Sequence, residues 1–156
     1  MLKLRKIGLA LGGGGARGIA HLGVLRHLEE IGLKPDILAG TSAGAIIASL
    51  YAFKVPLNEI EEEISKLKPM ELSALRIPKL GLIENTGVID LFKRKLGQDC
   101  QIQQAHIPLA IKATDVISGQ SYLMTKGPLL SAVLASCCVP GVYVPVERDD
   151  RLLVDG

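Results

Sequence analysis

The chain is poor in cysteine, and the cysteines it has are badly placed for pairing. Cys100, Cys137 and Cys138 make an odd count, two of them are adjacent, and none has metal-ligand spacing. A disulfide framework is therefore excluded, and a reduced, cytoplasmic setting is expected. A dense basic stripe is also missing: 18 basic and 16 acidic residues leave a net charge of +2 spread along the sequence. That spread argues against a nucleic-acid partner, which needs cations gathered on one face. No repeat, low-complexity tract or linker divides the 156 residues, so a single domain over 1–156 is expected.

Uninterrupted apolar length is lacking too. After Lys3, Arg5 and Lys6 the apolar run lasts only from Ile7 to Leu11 before glycines take over, shorter than a signal-peptide core. Gly127 to Val146 carries no charge and is long enough to span a bilayer, but Pro128, Pro140, Gly141 and Pro145 break it. A short helix, a turn and an extended segment are expected there. With 48% hydrophobic and 22% charged residues, the profile is that of a globular domain with a real core.

Periodicity predicts that Ile7 to Leu11 forms a buried strand, followed by a glycine loop and a helix from Ala20 to Ile31 with Val24, Leu25, Leu28 and Ile31 on its apolar face. Asp36 to Ala39 predicts a second strand, and Ala45 to Phe53, apolar all round, a helix inside the domain. An amphipathic helix follows, with Asn58 and Glu61 as a capping pair and Glu61, Glu62 and Glu63 as a solvated face. Residues 68–86 read as an irregular excursion. Val88 to Leu96 predicts a helix, Ile107 to Thr114 a strand in a hairpin with Gln120 to Thr125, and Pro128 to Ser136 a helix with proline in its first turn. Leu152 to Val154 begins a further strand where the chain stops, so a C-terminal part is expected to be missing. Strands alternating with helices predict an α/β fold, a mostly parallel sheet with helices on both faces.

Two strand-to-helix turns carry the chemistry. Gly40-Thr41-Ser42-Ala43-Gly44 satisfies G-x-S-x-G, the sharp elbow that lifts a serine hydroxyl clear of a sheet. A side chain at Gly40 or Gly44 would crowd the neighbouring strand and helix. At a helix start, Ser42 also has free N–H groups and the positive dipole end close by. The earlier turn, Gly12-Gly13-Gly14-Gly15-Ala16-Arg17-Gly18, exposes main-chain N–H groups suited to a phosphate or an oxyanion. Gly13 to Gly18 also satisfies G-x-G-x-x-G, the dinucleotide pattern. A Walker loop is excluded because Ile19 follows Gly18. A Rossmann site wants an acidic residue at the carboxyl end of the second strand, where Gly40-Thr41-Ser42 stands instead, with Asp36 at the other end.

The ordered motifs G-G-G-G-A-R-G, G-T-S-A-G, A-S-C-C-V-P-G-V-Y-V-P-V and D-G, spanning Ile7 to Gly156, resemble the patatin-like phospholipase family, especially its small bacterial and neuropathy target esterase branches. The resemblance implies a three-layer α/β/α fold and a serine acyl hydrolase with a Ser-Asp dyad. Ser42 would be the nucleophile and Asp155 the base. Gly13, Gly14, Gly15 and Gly18 would form the oxyanion hole, with Arg17 fixing the loop. The implied substrates are phospholipids, lysophospholipids or other acyl esters, with peripheral contact at a membrane surface and no cofactor or metal. The alternative is a non-catalytic lipid- or dinucleotide-binding module that uses the same glycine loop. Among rival bases, His21 reads as a core histidine, His27 as solvated, and His106 as lying away from the carboxyl ends of the strands. Asp115 closes the strand Ile107 to Thr114 and is the chief competitor of Asp155, its other reading being a turn with Ser118 and Gly119. Asp149 and Asp150 read as a solvated turn, and Cys137 and Cys138 as buried packing. No sequence signal speaks to oligomeric state.

Overall fold

A computed structural model describes residues 6–67 and 85–156. The irregular segment expected at 68–86 lies almost wholly outside the described residues. In chain order the elements are β1 (Gly8–Leu11), a 3-10 turn (Gly15–Ile19), α1 (Ala20–Glu30), β2 (Ile37–Thr41), α2 (Ala43–Ala52), α3 (Leu57–Lys66) and α4 (Thr86–Leu96). A second 3-10 turn (Ile102–Gln104) leads to β3 (Leu109–Asp115), β4 (Ser121–Met124), α5 (Leu129–Ser136), β5 (Val146–Arg148) and β6 (Arg151–Val154).

The expected α/β architecture takes the form of a mixed sheet. Pairing from β1 through β2 to β3 is parallel, because each crossover passes through helices, whereas β3 with β4, β3 with β6 and β5 with β6 pair antiparallel. One detail of register positions everything that follows. β4 and β6 both pair with Thr114, so they occupy opposite edges of β3; β2 and β4 both pair with Ile111 and Lys112, so they too are on opposite edges. β2 and β6 therefore share an edge of β3. β2 leaves the sheet after Thr41, and β6 arrives from the other direction to take up the edge it vacates.

α2 is buried along its whole length, as its all-round apolarity predicts, and packs on β1, β2 and β3 beside α5. Leu25, Leu50, Ile60, Phe92, Ile111, Leu129 and Leu153 close the core around it. On the other face of the sheet Ile37 and Leu123 remain 48% and 57% exposed. α1 departs from its expected stripe: Leu22 and Leu25 are buried, while Val24 and Ile31 are 48% and 58% exposed. The contact with α2 and α3 is narrower than the apolar arc of the helix.

Two further expectations are corrected in α3. Pro56, not Asn58, caps the helix, and Glu61 pairs with Arg26 at 2.7 Å instead of reaching back to the first turn. Glu63 is not solvated. It is buried between Arg94 at 2.6 Å and Lys66 at 3.4 Å, and the Arg94 bond holds its carboxyl below the usual range. With Lys95 on Glu59 at 2.7 Å, this network bolts α3 to α4. The turn between β5 and β6 is a two-residue hairpin whose residues, Asp149 and Asp150, have φ of 51° and 56°, the double positive φ of a type I′ turn. Asp150 is exposed, and Asp149 accepts from the Tyr122 hydroxyl at 2.6 Å.

Candidate active site

Sterics build the elbow. Thr41 ends β2 and Ala43 begins α2, so Ser42 alone reverses the chain, at φ 51° and ψ −125°, a conformation that costs a non-glycine residue about 1–3 kcal/mol. The flanking glycines make room for this reversal. A Cβ on Gly40 would lie 2.6 Å from Ala45 Cα, and one on Gly44 would run into the Leu11 carbonyl. Strand and helix thus pass each other with nothing larger than hydrogen between them.

The strained turn presents a half-buried Ser42 whose Oγ donates to Asp155 Oδ2 at 2.8 Å, across 113 residues of sequence. Its main-chain N–H donates to Ser136 Oγ at 2.9 Å, and Ser136 Oγ donates in turn to the Lys112 carbonyl at 2.5 Å. Asp155 reaches this place because β6 runs down the shared edge of β3. It is further fixed by its own N–H, which donates to the Cys138 carbonyl at 2.8 Å. Burial raises the Asp155 pKa above the ordinary aspartate value; the Ser42 hydroxyl, the Gly156 N–H and the Lys112 charge oppose that rise only in part.

The glycine loop lies alongside. A Cβ on Gly13 would be 3.3 Å from Ser42 Cβ and 4.0 Å from its Oγ, so the loop backbone borders the hydroxyl directly. Gly18 is buried where the 3-10 turn abuts Ala43, and the Gly14 carbonyl accepts from the Arg17 N–H at 3.1 Å. Gly15 opens that turn with φ 53°. Arg17 contributes to the loop through this main-chain bond, while its side chain stands exposed. Gly15, Gly18, Ile19, Ala43 and Ile46 line a small apolar crevice next to the loop.

The rival groups are engaged elsewhere. Asp115 accepts from Ser118 Oγ at 2.6 Å, from the Ile117 N–H at 3.3 Å and from Arg151 at 3.3 Å; the Ser118 bond foremost lowers its pKa. His21 Nε2 donates to the Gly12 carbonyl at 2.8 Å, bracing the loop from below. His27 pairs with Glu30 at 3.4 Å, and His106, whose main-chain N–H donates to the Ala52 carbonyl at 2.9 Å, stands before β3 begins. Burial, with the nearby Asp155 charge, pushes the Cys137 thiol up and that of Cys138 up to about 11, so neither offers a thiolate. Among the described residues no group of three His, Cys, Asp or Glu side chains could hold a metal ion. Nor is any helix among them long and apolar enough to cross a membrane. Ser136 is the site residue that the sequence analysis missed; a serine in an otherwise apolar A-S-C-C-V-P run was the available signal.

The sequence profile of the patatin-like phospholipase family matches residues 9–156. The chain belongs to that family. An uncharacterized NTE family protein of Mycobacterium tuberculosis is 36% identical over 154 residues, covering 97% of this chain and 42% of the relative. A patatin-like phospholipase domain-containing protein of Caenorhabditis elegans is 36% identical over 163 residues, covering 96% and 12%. This chain therefore spans less than half the length of these relatives. Among solved structures, VipD from Legionella pneumophila superposes with a TM-score of 0.70 at 18% identity, over 97% of this chain and 46% of that one. ExoU from the type III secretion system of Pseudomonas aeruginosa superposes with a TM-score of 0.57 at 18% identity, over 85% and 38%. At these identities the likeness is one of fold.

Proposed function

We propose that this chain is the part of a serine lipid acyl hydrolase that carries the nucleophile, with Ser42 and Asp155 as a catalytic dyad. The observation that carries the reading is the 2.8 Å bond from Ser42 Oγ to Asp155 Oδ2 on a strained elbow. A carboxylate with a raised pKa is a better base than an ordinary aspartate, and it needs no histidine to accept the serine proton.

In the proposed reaction Ser42 Oγ attacks the ester carbonyl carbon as its proton passes to Asp155. The tetrahedral oxyanion is received by N–H groups of the loop Gly13 to Gly15 and of the helix start. Collapse expels the alcohol, which takes the proton from Asp155. Water then attacks the acyl-serine with Asp155 again as base, releasing the fatty acid and restoring the hydroxyl. No metal or cofactor enters these steps. Family membership supports phospholipids, lysophospholipids or related acyl esters as substrates. Such a substrate brings the protein to a lipid surface from a reduced, cytoplasmic compartment, in keeping with its three unpaired cysteines.

The test is a fluorophosphonate probe applied to the full-length protein, with ester hydrolysis measured in parallel. Labelling at Ser42, lost together with hydrolysis in Ser42→Ala, is the expected result. A folded protein that neither labels nor hydrolyses esters would be a binding module instead.

A further inference from the structure

We propose that Ser136 is a positioning residue for Ser42, its hydroxyl standing in for one missing rung of the β2–β3 ladder. The inference rests on the serine reading above, but it concerns a residue that takes no part in the proton transfer. In the parallel pairing of β2 with β3, Leu38 lies opposite Leu109, and the Leu38 N–H donates to the Pro108 carbonyl at 2.8 Å. Rungs of a parallel ladder recur every second residue. After the Gly40 N–H to the Ala110 carbonyl, the next would therefore join the Ser42 N–H to the Lys112 carbonyl.

That rung cannot form directly, because Ser42 at φ 51° turns its backbone out of the sheet. The Ser136 hydroxyl fills the gap. It accepts from the Ser42 N–H at 2.9 Å and donates to the Lys112 carbonyl at 2.5 Å, so both ends of the broken rung are satisfied through one inserted oxygen. Ser136 is fully buried and is the last residue of α5. Two residues later the Cys138 carbonyl accepts from the Asp155 N–H at 2.8 Å. One helix end thus tethers both members of the dyad, the nucleophile through Ser136 and the base through Cys138.

Removing the hydroxyl leaves a buried N–H and a buried carbonyl without partners. They can meet again only if Ser42 is drawn back toward β3, which flattens the elbow and carries Oγ away from Asp155. The Ser42 N–H is also fully committed, so oxyanion donors must come from the glycine loop and from Ala43. A displacement of this kind slows the chemical step while leaving substrate affinity largely alone.

The experiment compares Ser136→Ala, Ser136→Thr and the control Ser49→Ala in the full-length protein. It measures the rate of fluorophosphonate labelling at Ser42, kcat and KM for ester hydrolysis, and thermal unfolding. Ser49 is an apt control because its hydroxyl is equally buried yet has no hydrogen-bond partner among the described residues. Ser136→Ala is expected to lower labelling and kcat on the order of 10- to 100-fold with KM within about twofold. Ser136→Thr, which keeps the hydroxyl, is expected to recover most of the rate, and Ser49→Ala to match the parent. Labelling of Ser136→Ala at the parental rate, or Thr and Ala variants that are equally slow, would overturn the proposal. Should Ser136→Ala fail to fold, the near-isosteric but weakly donating Ser136→Cys is expected to fall well below Ser136→Thr, and equal rates for those two would overturn it. A parent protein that does not label at all defeats the serine reading itself, whereas a labelling parent with an unaffected Ser136→Ala defeats this inference alone.

Discussion

Ser42 with Asp155 and Ser118 with Asp115 are the same chemical pair, a hydroxyl donating to a carboxylate at 2.8 and 2.6 Å, yet their surroundings drive the two acids in opposite directions. Asp115 collects a hydroxyl, a main-chain N–H and the Arg151 guanidinium, all of which favour its charge and lower its pKa. Asp155 is half-buried with fewer donors, and desolvation outweighs them. The first arrangement ties a turn together and favours the charged acid. The second holds a charge under tension beside a hydroxyl. A serine–aspartate contact is therefore no sign of catalysis by itself; what surrounds the carboxylate decides.

The sharpest way to break this contrast is to neutralise each acid in turn. Asp155→Asn is expected to lower kcat/KM by about 1,000-fold or more. Thermal unfolding should show it folded and at least as stable as the parent near neutral pH, since it removes a poorly compensated charge; retained turnover would place the base elsewhere. Asp115→Asn should do the reverse, lowering Tm by a few degrees while kcat/KM stays within about threefold. An inactive but fully stable Asp115→Asn would invert the comparison.

Acidity offers a subtler test. Asp155 must be ionised to accept a proton, so kcat/KM should rise with pH through its folded pKa, and that limb should lie above the ordinary aspartate range. The linkage signs differ as well. A raised pKa contributes stability that is full below the unfolded value and lost as pH climbs through the folded one. A lowered pKa contributes stability present above the unfolded value and lost as pH falls through the folded one. Unfolding of Asp155→Asn and Asp115→Asn across the acidic range should separate the two trends. The smallest expected effect lies in the hairpin that delivers Asp155: Asp150→Gly relieves a positive φ and should raise Tm by a degree or two with activity unchanged, and a loss of activity would mean the turn does more than hold register.

What the sequence made legible was mostly local. Gly40 and Gly44 announce an elbow because only glycine fits there, and the mostly apolar run Ala45 to Phe53, with no charged residue, announces a helix with no solvent face. The hairpin of β3 with β4 was marked by Ser118-Gly119. What depended on distant partners was hidden. Glu63 looked like its neighbours Glu61 and Glu62 until Arg94 came within 2.6 Å from another helix. β5, three residues with Glu147 at its centre, has too little pattern to register as a strand. The direction in which β6 joins β3, and hence the meeting of Asp155 with Ser42, is a property of pairing that no window of residues contains; only the family resemblance points to Asp155. Ser136 was overlooked because a lone serine in an apolar run does not reveal which backbone groups it will bridge.

The sharing of one edge of β3 by two strands has a temporal meaning. The ribosome makes the serine 113 residues before the acid that it leans on, and between them comes nearly all of the core. A half-synthesised chain therefore displays an elbow with no base and a sheet edge with no occupant. Under the proposed reading, the elbow gains its base only once the hairpin of β5 and β6 docks on β3, so the order of assembly would itself guard the nucleophile.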